Sequence, residues 1–112
     1  MLRGEIWFGV WPNDPATKPR PLLIVSNNHR NQKPNIQDVV VVKLTSLERP
    51  NGSKKPVNDA EDLLVTFKKS TIIKCGSIYS VEKVFLKNRA GQLSAEQMKE
   101  VDLKIKNVLA LP

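Results

Sequence analysis

The chain has 112 residues, 40% of them hydrophobic and 26% charged, which suits one globular domain with one modest core and is too short for two. Its 18 Lys and Arg outweigh 11 Asp and Glu, a formal net charge of +7, which suits an anionic partner such as nucleic acid or an acidic protein, or simply serves solubility. One cysteine (Cys75) and one histidine (His29) exclude an intrachain disulfide and an ordinary zinc site.

The opening MLRGEIWFGVW has charge and glycine interrupting its apolar residues, so it does not read as a signal peptide. No apolar stretch approaches the roughly 20 residues of a membrane span. A cytoplasmic protein without membrane contact is the expectation. Residues 5–11 (EIWFGVW) are aromatic-rich and strand-like, and Pro12, Asn13, Asp14 and Pro15 end them with turn chemistry. KPRPLLIVS follows. Residues 21–25 form a continuous apolar run of strand length, expected to be buried on both faces. Arg20 stands at its mouth between Pro19 and Pro21. Each proline fixes its own φ, and the second also pushes Arg20 toward extended backbone. Part of the entropy of placing that guanidinium is therefore met before any ligand arrives. Arginine's fork of donors matches phosphate or carboxylate oxygens. Two readings stand side by side: a turn that carries a charge, and a site that presents a cation to an anion.

Residues 27–35 are polar and contain Pro34, as a loop does. His29 has no carboxylate at a spacing that would orient it as a general base, and it reads as a solvated loop residue. Residues 39–44 are a second buried run, ended by Thr45 and Ser46. By strand alternation Lys43 and Thr45 share a face, so Arg20 and Thr45 converge on one phosphate if their strands are neighbours. Threonine is also simply common in strands. Residues 46–62 are a long excursion holding Pro50-Asn51-Gly52 and Lys54-Lys55-Pro56, of a length that in compact domains is functional or mobile. Residues 63–67 and 71–75 read as strands, with Gly76 marking a bulge or a close approach, and residues 84–86 as a further short strand. Cys75 reads as core rather than as a nucleophile. The loop-weighted cations Lys18, Arg30, Lys33, Lys54, Lys55, Lys68 and Lys69 suit an RNA backbone or merely solvate the surface. There is no Walker loop, no GxGxxG and no clustered carboxylate set, so neither metal nor cofactor is expected.

The end differs in kind. Ser94 and Gln97 form a capping box, Leu93 and Met98 a hydrophobic staple, and Met98, Val101, Ile105, Val108 and Leu109 line one helical face. Many short strands and one terminal helix give an α+β, mainly β class: a small, strongly bent sheet or barrel that the helix covers.

In register, RGEIWFGVW, RPLLIVSNN, VVVVKLTS, IIKCGSIYSVEK and LSAEQMKEVDLKIKNVLAL resemble the MazF/PemK toxins of type II toxin–antitoxin systems over nearly the whole chain. The resemblance implies a single toxin domain over residues 1–112, an SH3-like (CcdB-like) β-barrel with a C-terminal helix, and a homodimer. It implies metal-independent cleavage of single-stranded RNA, usually messenger RNA and often at a short sequence, and an acidic antitoxin that blocks the RNA groove. Carried over by position, Arg20 matches the arginine of the family's RP motif, and Thr45 the threonine after the second buried strand. In members that use this pair, both contact the scissile phosphate. Thr17, Lys18, Ser46 and Lys74 are read as RNA contacts beside them.

The chain also departs from the family. Many members have a longer first loop with glycines and a Glu-Gln pair; here it is PNDPATK. Where the PemK/Kid branch has an Arg-x-Asp acid–base pair, this chain reads Lys74-Cys75-Gly76, so the cation is kept and the carboxylate is gone. Ser77, Tyr79 and Ser80 replace the family's following Gln and Arg-Thr. No general base follows from the sequence. The missing carboxylate motivates an alternative, a non-catalytic binder on the same barrel that poisons gyrase or holds RNA without cutting it.

Overall fold

The computed structural model describes residues 1–10 and 14–112. The elements in chain order are β1 (Glu5–Val10), β2 (Pro19–Ile24), α1 (Asn28–Asn31), β3 (Asp38–Ser46), β4 (Asp62–Thr66), β5 (Ser70–Glu82), a 3-10 turn (Lys83–Phe85), β6 (Lys87–Gln92) and α2 (Ala95–Leu109). Among the described residues the strands form one antiparallel sheet in the order β4-β5-β3-β2-β1-β6. The sheet curls into a half-barrel.

The two apolar runs are continuous because β2 and β3 are covered on both faces. Leu23, Val42 and Leu44 face one cluster with Ile73, Met98 and Val101. Leu22, Ile24, Val39 and Val41 face a second with Val81 and Leu86. Leu22, Leu23 and Ile24 alternate between the two clusters, and on β3 Val39 and Val41 face one while Val42 and Leu44 face the other. Helix α2 packs against β4 and β5 and closes the first cluster. The Ser94 side chain accepts from the Gln97 N–H at 3.1 Å, and the Gln97 side chain accepts from the Ser94 N–H at 2.9 Å, so the expected capping box is formed. Met98 and Val101 are buried, whereas Leu109 at the end of the helix is exposed.

Three expectations change. The apolar residues 84–86 do not make a strand. They lie in and just after the 3-10 turn, where Val84 and Phe85 are exposed and only Leu86 is buried. Leu86 packs over Gly9, and a Cβ at Gly9 would come within 2.7 Å of it. The strand that follows, β6, has the sequence KNRAGQ and no buried residue. It is an edge strand held by backbone pairing to β1, so it carries no apolar alternation to announce it. The polar segment at residues 27–35 holds the one-turn helix α1, begun by Asn27, whose side chain accepts from the Arg30 N–H at 2.8 Å. His29 is exposed on that turn. The expected end of the first strand at Trp11 and the Pro12-Asn13 half of its turn lie outside the described residues.

Strand β5 runs through Gly76 instead of ending before it. Against β3 its register jumps: Val42 faces Ile78 while Lys43 faces Lys74, so residues 75–77 bulge out of the ladder. Gly76 is also a place of close approach, because a Cβ there would stand 3.0 Å from the Glu61 carboxylate. Cys75, just before it, is buried, and burial, then the neighbouring Asp62, pushes its thiol up to about 12. It is core, as the sequence suggests.

Candidate functional site

The β2–β3 ladder settles where Arg20 and Thr45 lie. Leu22 faces Lys43 across the two strands, and two residues further along each strand are Arg20 and Thr45. Both line one groove of about 920 Å³, together with Phe8, Ser46, Arg49, Lys54 and Lys55. Pro19 and Pro21 line it too, so the pair of prolines holds the wall from which Arg20 projects. Arg20 Nε is 3.5 Å from the Asp14 carboxylate, whose side chain is only 10% exposed. A second hollow of about 310 Å³ adjoins the first and shares Thr45, Arg49 and Lys55 with it. Lys43, Ile72 and Lys74 form its floor. The strand pairing brings these together, since Lys43 faces Lys74 and Thr45 faces Ile72.

Of the residues singled out in the sequence, Arg20, Thr45 and Ser46 therefore meet in one groove, and Lys74 lies in the adjoining hollow. Thr17 and Lys18 do not line either one. They are exposed on the segment leading into β2, where Thr17 has a φ of +50° and donates its hydroxyl to the Ala16 carbonyl at 2.8 Å.

The excursion after β3 is the part that sequence reasoning undervalued. Residues 47–55 fold into a small hairpin. The Gly52 N–H closes a turn onto the Arg49 carbonyl at 2.9 Å, with Gly52 at a φ of +84°. Pro and Asn in the middle of such a turn, and Gly after them in left-handed backbone, are the residues this geometry favours. The returning arm is fixed by the Lys55 N–H on the Leu47 carbonyl at 2.8 Å. That places Lys55 over the end of β3, where its Nζ donates to Thr45 Oγ1 at 2.6 Å. Burial, then Arg49, Arg20, Lys43 and Lys74 in turn, lower the pKa of Lys55 below the ordinary lysine value. Lys55 thus stands among four other cations around the groove and the adjoining hollow, where an anion would offset their repulsion.

Two carboxylates from a neighbouring segment of chain, Glu61 and Asp62, stand beside the Lys74-Cys75-Gly76 stretch. Asp62 on β4 faces Lys74 and pairs with it at 3.4 Å, with its side chain 2% exposed. Asp62 also accepts from the Asn58 N–H at 2.9 Å, so it ties the end of the excursion to the sheet. Glu61 fills the space beside Gly76. No spacing in the sequence pointed to Asp62, because the pairing is cross-strand; Lys55 had a signal, since Arg-Pro-Asn-Gly is a hairpin turn that brings Lys54 and Lys55 back beside β3. Among the described residues no three His, Cys, Asp or Glu side chains gather where they could hold a metal ion.

Fold and groove together define a small half-barrel protein with a cationic cleft suited to an extended anion. The chain belongs to the family described as the PemK-like, MazF-like toxins of type II toxin–antitoxin systems, whose pattern matches residues 2–109. No curated protein matches the chain significantly. Among solved structures it is similar to a mycobacterial endoribonuclease in complex with its cognate antitoxin, at 24% identity and a TM-score of 0.79, covering 100% of this chain and 97% of that one. It is also similar to the Mycobacterium tuberculosis toxin MazF-mt6, at 20% identity and a TM-score of 0.73 over 96% of this chain and 98% of that one. A third is the MazE–MazF structure from Deinococcus radiodurans, at 13% identity and a TM-score of 0.75 over 100% and 97% of the two chains. At these identities the likeness is one of fold. No helix among the described residues is long and apolar enough to cross a membrane.

Proposed function

We propose that this toxin is an endoribonuclease that cuts single-stranded RNA, in the cell messenger RNA, at selected sequences and without a metal ion. The observation that carries the reading is the meeting of Arg20 and Thr45 on facing strands at the wall of one basic groove. In the reaction a ribose 2′-oxygen attacks the adjacent phosphorus. The O2′–P bond forms, the P–O5′ bond breaks, and the products are a 2′,3′-cyclic phosphate and a 5′-hydroxyl. Negative charge grows on the non-bridging oxygens, where the Arg20 guanidinium and the Thr45 hydroxyl donate to it. The nucleophile belongs to the substrate, so no metal-bound water is required. Ser46 and Lys74 flank the pair and suit the phosphates on either side, while Thr17 and Lys18 contact RNA beyond the cleft. The protein acts as a cytoplasmic homodimer, and an acidic antitoxin restrains it by occupying the same cations.

The purified protein incubated with a long single-stranded RNA in EDTA is expected to yield discrete fragments, fewer as salt is raised because phosphate binding releases counterions. Intact RNA across varied sequences, or cutting that EDTA abolishes, contradicts the reading. Growth arrest with cellular RNA intact would return the protein to the non-catalytic alternative.

A further inference from the structure

In that cleavage the departing 5′-oxygen must gain a proton, and neither Arg20 nor Thr45 supplies it readily. Arginine does not deprotonate in proteins, and a threonine hydroxyl is a poor acid. Lys55 stands beside both. It lies at the junction of the two hollows, on the hairpin arm that returns over β3, and its Nζ is 2.6 Å from Thr45 Oγ1. Because Nζ is the donor in that contact, the Thr45 hydroxyl proton points to another acceptor, as donation to a phosphate requires. A lysine ammonium has three donors, and Thr45 takes one of them. A phosphate held by Thr45 thus brings its ester oxygens next to Nζ.

We infer that Lys55 is the general acid of the cleavage, giving a proton to the 5′-oxygen as the P–O5′ bond breaks; the inference rests on the RNA-cleaving reading. The electron pair of that bond stays on the 5′-oxygen and takes up the Lys55 proton. The proton lost from the attacking 2′-hydroxyl passes to water, and the neutral Lys55 amine regains one from solvent. The surroundings favour the role. The side chain is half-buried, and the cations facing it are Arg49 on its own loop, Arg20 on β2, Lys43 on β3 and Lys74 on β5. They make the ammonium a stronger acid than a free lysine, while the incoming phosphates keep it charged until the reaction. Of these neighbours, Arg20 and Lys74 have carboxylates of their own in Asp14 and Asp62.

The test uses two oligonucleotides carrying the mapped cleavage site, one natural and one with sulfur in place of the bridging 5′-oxygen at that site. A thiolate leaves without a proton, since a thiol pKa is about 8.5 and an alcohol's lies far higher. Lys55→Met is expected to cut the natural oligonucleotide about 10²-fold or more slowly than the parent, and the sulfur one at close to the parent rate. Lys55→Arg, which keeps the charge but is too weak an acid to give up its proton, is expected to stay slow on the natural substrate. Equal losses of Lys55→Met on both substrates, a normal rate on the natural one, or full activity of Lys55→Arg overturns the assignment while leaving RNA cleavage in place. Failure of the parent protein to cut either substrate overturns the cleavage reading and this inference with it.

Discussion

Replacing Arg20 by alanine is expected to slow RNA cleavage by about 10²–10³-fold, the usual consequence of removing one preorganised donor to a developing oxyanion. The size follows from how the side chain is held. Pro19 and Pro21 restrict the backbone on both sides, and Leu22, Leu23 and Ile24 behind it are all fully buried, so the guanidinium is presented from a rigid wall. Alanine keeps that wall and removes the charge. Single-turnover rates at saturating protein measure the effect, with circular dichroism to check that the strand content is unchanged. Arg20→Lys is expected to recover only part of the loss, because an ammonium does not reproduce the two-pronged fit to a phosphate. A variant Arg20→Ala that cuts at the parent rate removes this residue from the chemistry.

The second large effect concerns the same strand from the other side. Leu23 is fully buried in the cluster that α2 covers. Leu23→Ala is expected to destabilise folding by about 2–5 kcal/mol, the sum of lost transfer energy and the cavity left behind. In a domain whose whole stability is of order 5–15 kcal/mol, that is a severe loss. Urea denaturation with the two midpoints compared reads it directly. Leu64 on β4 is the control: it is 49% exposed, so Leu64→Ala is expected to cost well under half as much. Equal costs at the two positions contradict the placement of the core. The two variants separate the two roles of β2, whose buried residues hold the half-barrel while its first residues carry the cation.

What the sequence made legible follows from the strength of its local signals. The runs at β2 and β3 were plain because both faces are covered, and the helix was plain because Ser94, Gln97, Leu93 and Met98 mark its start independently of the apolar stripe. Strand β6 was illegible because an exposed edge strand has nothing to bury, and Val84-Phe85-Leu86 looked like a strand because hydrophobicity alone does not reveal a single turn with one inward side chain. Arg20 and Thr45 could be paired only on the condition that their strands were neighbours, which the antiparallel β2–β3 ladder satisfies. Lys55 was one cation among many until the hairpin turn at residues 49–52 set its direction. Asp62 needed the β4–β5 register, a contact twelve residues apart in sequence from Lys74. The loss of a carboxylate at Gly76, read linearly, argued for a silent site; in space Glu61 and Asp62 occupy that neighbourhood. Linear comparison judges a position, whereas chemistry responds to what lies near it.

The proposed chemistry in the groove beside Arg20 and Thr45 is attack by the RNA's own 2′-hydroxyl on the neighbouring phosphate. It is tested most directly by a single 2′-deoxy substitution at the mapped cleavage site of an otherwise natural oligonucleotide. Cutting at that site is expected to stop, binding to persist, and the parent oligonucleotide to give fragments ending in a 2′,3′-cyclic phosphate. Continued cutting of the deoxy oligonucleotide at the same bond would show that the nucleophile comes from elsewhere and contradict the account.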